Sequence, residues 1–421
     1  MLIQPGLSIM NKLHKDPFNK IIFKNVRLET GFEYDEDGEI SGTQTGLFRI
    51  EVTNDRISNI LPNISDEGAA VDAKGMLMLP SFKDMHVHLD KTLYGLPWKA
   101  VSGKNRTVKE MIALEQRIIP ELLNTSITRS EKLIELLQSY GISEARSHFN
   151  IDPTSGLDSL EHLEVALQNK KGSFSAELVA FPQHGIYYTQ TKPLMEEVAR
   201  LKSVGFIGGL DPASIDGGIE RTIDFTVDLA LAHNKGIDIH LHEIGESGVN
   251  TIDYIADKVI ENPQLQGKVY ISHAYVLAFL SEKEVERLSL RLVEAKIGIA
   301  TAVPFRKKMV MPLPLLWKYG VEVLTGNDNI QDHWGTLGSG NLLQKANISA
   351  DLYGLESEFE LSRLLKMATN KILPLDSNGN QQWPKIGDEA SMILVESSCS
   401  AETVSRISKV HSLIHKGNIV Y

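Results

Sequence analysis

The chain has 421 residues, of which 42% are hydrophobic and 23% charged, and a formal charge of −11. The length is enough for a large core and a second, smaller domain. The composition excludes general disorder, and an acidic balance with no long Lys/Arg run argues against a nucleic-acid or anionic-membrane surface.

Cys399 is the only cysteine, which excludes an intrachain disulfide and a Cys-rich zinc framework, so any metal must be held by His, Asp or Glu. Residues 1–20 contain no uninterrupted apolar run and no small-residue cleavage pattern. No stretch approaches the roughly 20 apolar residues needed to span a bilayer, and the expected location is cytoplasmic. From Ile21 to about Met78 the pattern predicts short strands divided by polar turns: IIFKNVRLET, FEYDEDGEISG and LFRIEVTNDRISNIL, with turn residues at Tyr34–Gly38 and Asn54-Asp55. Near the other end ASMILVES and SLIHKGNIVY read as strands, with Lys416-Gly417 at a turn. The two β-rich ends, 1–78 and 380–421, are expected to fold together into a small β-sandwich.

Between them, over 79–379, apolar strands alternate with helical stretches. The predicted strands are GMLMLPSF, SEARSHFN, AELVAFPQ, GFIGGLD, GIDIHLHE, KVYISHA, KIGIATAV and VEVLTGND. SEKLIELLQSY, LEHLEVALQNK, KPLMEEVARLKSV and SEKEVERLSLRLVEA carry apolar residues at helical spacing; Leu133, Leu136 and Leu137 read as core packing. Eight strands interleaved with helices predict an α/β fold with a closed (β/α)8 barrel of the TIM type. Polar residues gather at the strand C-termini, where barrel enzymes place their chemistry.

Four strand ends carry the candidate residues. In Asp84-Met85-His86-Val87-His88 the histidines lie two apart, so in a strand they point to one side and can share a metal. In Ile239-His240-Leu241-His242-Glu243, His240 can be a third ligand and Glu243 a carboxylate placed to accept a proton from activated water; His242 reads as a strand-end cap. Ile271-Ser272-His273-Ala274 ends another apolar strand, and Leu324-Thr325-Gly326-Asn327-Asp328 ends the last. An isolated Asp after Gly-Asn is usually a turn residue, but Asp328 ends a strand in series with three that bear histidines. Each piece is modest, and the ordered set points to a metal-dependent hydrolase.

With these motifs in place the chain resembles the amidohydrolase superfamily, and within it the cytosine deaminases and their triazine-processing relatives. Further matches are Arg146-Ser147-His148 with Asp152, Phe181-Pro182-Gln183-His184-Gly185-Ile186, His240-x-x-Glu243-Ile244 and Asp332-His333-Trp334 before Leu337-Gly338. The resemblance implies His86, His88, His240 and Asp328 as ligands of one divalent metal ion per chain and Glu243 as the proton shuttle. It implies His273 as hydrogen-bonding the attacking water or the developing tetrahedral centre, Gln183 as meeting the substrate's amide-like edge, and Trp334 as shaping the pocket. Binuclear members carry a bridging lysine on the fourth strand, and Gly205–Asp211 contains none. Imidazole suits zinc and iron alike, and the resemblance tilts toward iron in the cell, with zinc common after purification.

The expected reaction is hydrolytic deamination of a small nitrogen heterocycle (pyrimidine, triazine or pterin) by metal-activated water. The alternatives are cleavage of an amide or a substituted exocyclic amine, and a barrel scaffold that has lost catalysis, against which the intact ligand set argues. The chain departs from the cytosine deaminase pattern at Asn329, where relatives carry an acid, and at Lys91. Lys91 reads either as a pocket cation favouring an anionic or carbonyl-rich substrate or as a solvated loop residue. His148 and His184 end strands and are candidate pocket residues. The expected partner is a small-molecule substrate, with no nucleic acid and no membrane; a homo-oligomer is compatible with the sequence, and no stretch marks its interface.

Overall fold

The computed structural model describes residues 20–63, 70–102, 106–306 and 309–421. The first segment, read above for an apolar run and a cleavage pattern, lies up to Asn19 outside the described residues. Among the described residues no helix is long and apolar enough to cross a membrane.

Among the described residues five strands come first: β1 (Lys20–Tyr34), β2 (Ile40–Thr53), β3 (Arg56–Pro62), β4 (Val71–Asp72) and β5 (Leu77–Pro80). Then come β6 (Phe82–Val87), β7 (Ile142–Asn150), β8 (Ser175–Phe181), β9 (Val204–Leu210), β10 (Gly236–His240), β11 (Val269–Ser272) and β12 (Ile297–Thr301). A small hairpin, β13 (Phe305–Arg306) with β14 (Met309–Val310), precedes β15 (Val323–Thr325), and β16 (Met392–Val395), β17 (Val410–His415) and β18 (Asn418–Ile419) close the chain.

The two ends meet in one eight-strand sheet ordered β18-β17-β16-β5-β1-β2-β3, with β4 on β1. Asn54-Asp55 joins β2 to β3 and Lys416-Gly417 joins β17 to β18, as their turn chemistry predicts. The central strands serve two cores at once because successive side chains point to opposite faces. Met78, Met392 and Leu394 enter the core of this sheet, while Leu77, Leu79, Ile393 and Val395 pack with the barrel. Burial on both faces explains their unbroken apolar runs. It also corrects one expectation. GMLMLPSF is not the first barrel strand: Leu77–Pro80 pairs antiparallel with β16, and the chain breaks at Pro80-Ser81 before β6 begins at Phe82.

The barrel runs β6-β7-β8-β9-β10-β11-β12-β15 through parallel pairs. Helices lie between most strands. Glu282–Glu294 begins at Ser281, which forms a capping box with Glu284. The helix predicted over 192–204 stops at Val198, because Val204 already starts β9.

The last strand closes on the first. Val87 bridges Asp328, and the Asp328 N–H donates to the His86 carbonyl at 2.7 Å. Gly326 permits this approach: a Cβ there would lie 2.4 to 2.6 Å from the His86 backbone and its Cβ. Gly326→Ala should therefore destabilise the fold by about 1–3 kcal/mol through overpacking at the seam. Chemical denaturation checks this, and an unchanged midpoint would mean that the seam is looser than described.

Candidate active site

The strands deliver the predicted residues to the C-terminal end of the barrel. His86 and His88 come from β6 and its end, His148 from β7, His240 from β10, and His273 and Asp328 from just beyond β11 and β15. The ring centroids of His86 lie 4.7 Å from His240, 4.9 Å from His273 and 4.1 Å from His148. Ligand atoms of His86, His88 and Asp328 lie within 4.8 Å of one another, as do those of His86, His240 and His273. Phe181 stacks on His240 with centroids 3.9 Å apart. Three of the placements require left-handed backbone at non-glycine residues: Asp328 at φ 62°, His273 at 71° and Ala274 at 47°. Such conformations cost on the order of 1–3 kcal/mol each and collect at functional sites.

Hydrogen bonds set the imidazole tautomers. Ser272 Oγ donates to Asp238 Oδ1 at 2.5 Å, so toward His86 Nδ1, 2.9 Å away, it can only accept. The His86 proton is thus on Nδ1 and the lone pair on Nε2. His88 Nδ1 meets the His148 carbonyl oxygen at 3.0 Å, which can only accept, and the same tautomer follows. Both Nε2 lone pairs then face Asp328 Oδ1, each at 3.4 Å. Two lone pairs and a carboxylate oxygen converging in a buried place repel one another unless a cation lies among them. The ring nitrogens of His240 and His273, buried and without hydrogen-bond partners, add further donors. Burial pushes His88 down to about 3 and holds His240 and His273 well below the ordinary imidazole range, with the neighbouring imidazoles adding to it for His240. These are the neutral forms a metal takes. Burial alone would raise Asp328, yet the surrounding imidazoles hold it well below the usual carboxylate range. The donor set fits a divalent metal ion.

Glu243 lies three residues past the end of β10. Its Oε1 accepts from the Ser214 N–H at 2.6 Å and its Oε2 has no partner; burial raises its pKa. His242, expected to cap the strand, pairs with Asp211 Oδ2 at 2.9 Å and stacks on His273. Lys91 is 5% exposed, so the solvated-loop reading is wrong. Its Nζ donates to Gln183 Oε1 at 2.6 Å and lies 5.7 and 5.5 Å from the ring centroids of Phe181 and Trp334. Asn329 follows Asp328 with its Oδ1 buried and unpartnered. His148 is fully buried against His86, with Asp238 Oδ2 3.8 Å from its Nε2.

Two supports escaped the sequence reading. Asp238 carries Ser272 on one oxygen and meets Arg146 on the other at 3.4 Å. It shares a strand face with His240, two residues on, so a charged residue inside an apolar strand was the available signal. Glu115, on the helix Val108–Leu123, is wholly buried on the stripe of Met111, Ile112 and Ile119. A carboxylate on an apolar stripe is seldom buried without partners. Its partners here are His184, His333 and Trp334. A cavity of about 850 Å³ at the other end of the barrel, lined by Pro80, Lys83, Arg363, Lys366 and Trp383 among others, contains none of the predicted site residues.

His184 lies between Glu115, 3.1 Å from Nε2, and Asp152, 3.3 Å from Nδ1. Burial opposes its charge, but the two carboxylates outweigh it and raise the imidazole from 6.5 to about 9. A raised folded pKa stabilises fully below the unfolded value and loses that contribution as pH climbs through the folded one. The gap in unfolding midpoint between the wild type and His184→Gln should therefore be widest near about pH 6 and shrink by about pH 9.5. Thermal denaturation at the two pH values checks this, and a gap that widens would place a neutral imidazole there.

The model of the amidohydrolase family matches residues 209–421. The chain is 45% identical over 401 residues to the uncharacterised protein YahJ of Escherichia coli (strain K12), covering 94% of this chain and 86% of that one. The structure of N-isopropylammelide isopropylaminohydrolase from Burkholderia multivorans ATCC 17616 superposes with a TM-score of 0.80 at 26% identity, covering 95% of this chain and 98% of that one. That of 5-methylcytosine deaminase from Klebsiella pneumoniae does so at 0.78 and 23%, covering 95% and 97%. With barrel, donor set and these likenesses in agreement, the chain belongs to the amidohydrolase family of metal-dependent hydrolases.

Proposed function

We propose that the protein hydrolyses an exocyclic C–N bond of a small nitrogen heterocycle, releasing ammonia. The observation that carries this is the pair of Nε2 lone pairs, from His86 and His88, converging on Asp328 Oδ1 at 3.4 Å. A divalent ion, zinc or iron, held by His86, His88, His240 and Asp328 would supply the Lewis acidity that makes water a nucleophile near neutrality.

The chain's own residues do the rest. Glu243 keeps one oxygen fixed by Ser214 and the other free. It takes the proton from the attacking water and passes it to the departing nitrogen, a task for which a raised pKa suits a carboxylate. His273 is neutral, and its N–H stabilises the negative charge that develops on the heteroatoms bonded to the carbon under attack. Lys91 and Gln183 present donors to the substrate's oxo edge, Trp334 supplies an apolar face, and His148 packs behind the imidazole cluster. Asn329, an amide where an acid is expected, both donates and accepts. This supports a ring edge unlike that of cytosine.

A second reading, release of an alkylamine from a substituted exocyclic nitrogen, is favoured by the likeness to N-isopropylammelide isopropylaminohydrolase.

Elemental analysis coupled to a panel of amino- and alkylamino-substituted heterocycles tests both. About one metal ion per chain with ammonia as product supports the first, and alkylamine as product moves the assignment to the second. A chain that takes up no metal on reconstitution overturns both. Glu243→Gln should retain metal and lose about 10²–10⁴ in kcat, whereas Asp328→Ala should lose metal and turnover together. Asn329→Asp should shift relative rates toward cytosine-like substrates; identical preferences in that variant dismiss its role at the ring.

A further inference from the structure

We propose that Glu115 is a positioning residue that holds two sides of the substrate pocket in register, locking Gln183 and Trp334 against Lys91; this rests on the reading of that pocket as the heterocycle site. Two separate loops meet on one helix-borne carboxylate. Glu115 lies on the helix after β6, and its Oε2 accepts from His184 Nε2, next to Gln183 in the loop after β8. Its Oε1 accepts from His333 Nε2 at 2.6 Å and from Trp334 Nε1 at 2.9 Å, both in the loop after β15. The same two loops supply the partners of Lys91: the acceptor Gln183 Oε1, and the ring of Trp334.

His184 in the loop after β8 faces Asp152 of the loop after β7 at 3.3 Å, and Asp152 is itself held by the N–H groups of Thr154 and Ser155 and by the Ser155 hydroxyl. The loop after β15 is braced from within. Asp332 Oδ1 accepts from the N–H groups of Trp334 and Gly335. The span between the loops is therefore the part that depends on Glu115. Glutamine cannot replace it, since one carboxamide has an acceptor on one side only. The amide NH2 would then confront either the His184 N–H or the N–H groups of His333 and Trp334.

The test compares wild-type protein and Glu115→Gln, both metal-loaded, by metal content, tryptophan emission and steady-state kinetics. The Trp334 component is isolated by subtracting the spectrum of Trp334→Phe in each background. Glu115→Gln should keep its metal, shift the Trp334 component to longer wavelength with easier acrylamide quenching, and raise KM about tenfold with a smaller fall in kcat, as expected for one lost charge-assisted hydrogen bond. An unchanged Trp334 component with unchanged KM overturns the proposal. A fall in kcat at constant KM also overturns it, by making Glu115 part of the chemistry. Should Glu115→Gln fail to fold, Trp334→Phe alone must reproduce the rise in KM, and wild-type KM in that variant rejects the lock. If the wild type turns over no heterocycle, the proposed function fails, while metal content and emission still decide the role of Glu115.

Discussion

The site depends on the closure of the last barrel strand onto the first. Gly326 lets the backbone of the β15 end run against His86, and Asp328 is fixed there by its N–H bond to the His86 carbonyl. Asp84 secures the same seam. Its two oxygens take the backbone and side-chain N–H groups of Asn327 at 3.0 and 2.7 Å, and burial pushes its carboxyl up to about 6. Asp328 adopts a left-handed conformation there, and the seam bonds offset that strain. The carboxylate is thereby brought to both His86 and His88, residues some 240 positions away in the chain. Without the seam there would be a His-x-His strand and a stray aspartate.

Two groups of histidines around the pocket are buried alike, and burial disfavours charge on both, yet they end in opposite states. Burial, helped by neighbouring imidazoles, keeps His88, His240 and His273 neutral, which leaves lone pairs to bind a cation. His184, equally removed from solvent, faces two carboxylates and stays charged. Burial prevails at His88 and His273 even though Asp328 opposes it, whereas at His184 two carboxylates together outweigh it. Arg146 supplies the balancing charge beneath the cluster. It meets Asp238 and lies over the rings of Phe206 and Tyr270 at 4.1 and 4.2 Å. Through Asp238 and Ser272 that charge reaches the tautomer of His86, a support of the kind that orients metal ligands in general.

What could be read from the residues alone was whatever repeats or sits locally. The alternation of strands and helices gave the barrel, and the two-residue period put His86 and His88 on one side. Turn chemistry located Asn54-Asp55 and Lys416-Gly417. GMLMLPSF was misplaced because an apolar run buried on both faces looks alike in a barrel strand and in the middle of another sheet. Glu115 lay in view on an apolar stripe, but its three partners come from loops near 184 and 333, and no local pattern joins them.

The sequence by itself determined the chemistry on offer: histidines and carboxylates at strand ends, one cysteine, and no lysine on the fourth strand. Only the tertiary structure decided how these groups pair, because pairing depends on strand register and seam geometry. It turned Lys91 from a loop residue open to two readings into a buried cation bonded to Gln183. It gave His86 its tautomer through Ser272 and Asp238, which are brought together by the register of β10 and β11. Residue types are local properties of the chain, whereas a lone pair's direction and a charge's neighbours exist only after distant strands have met.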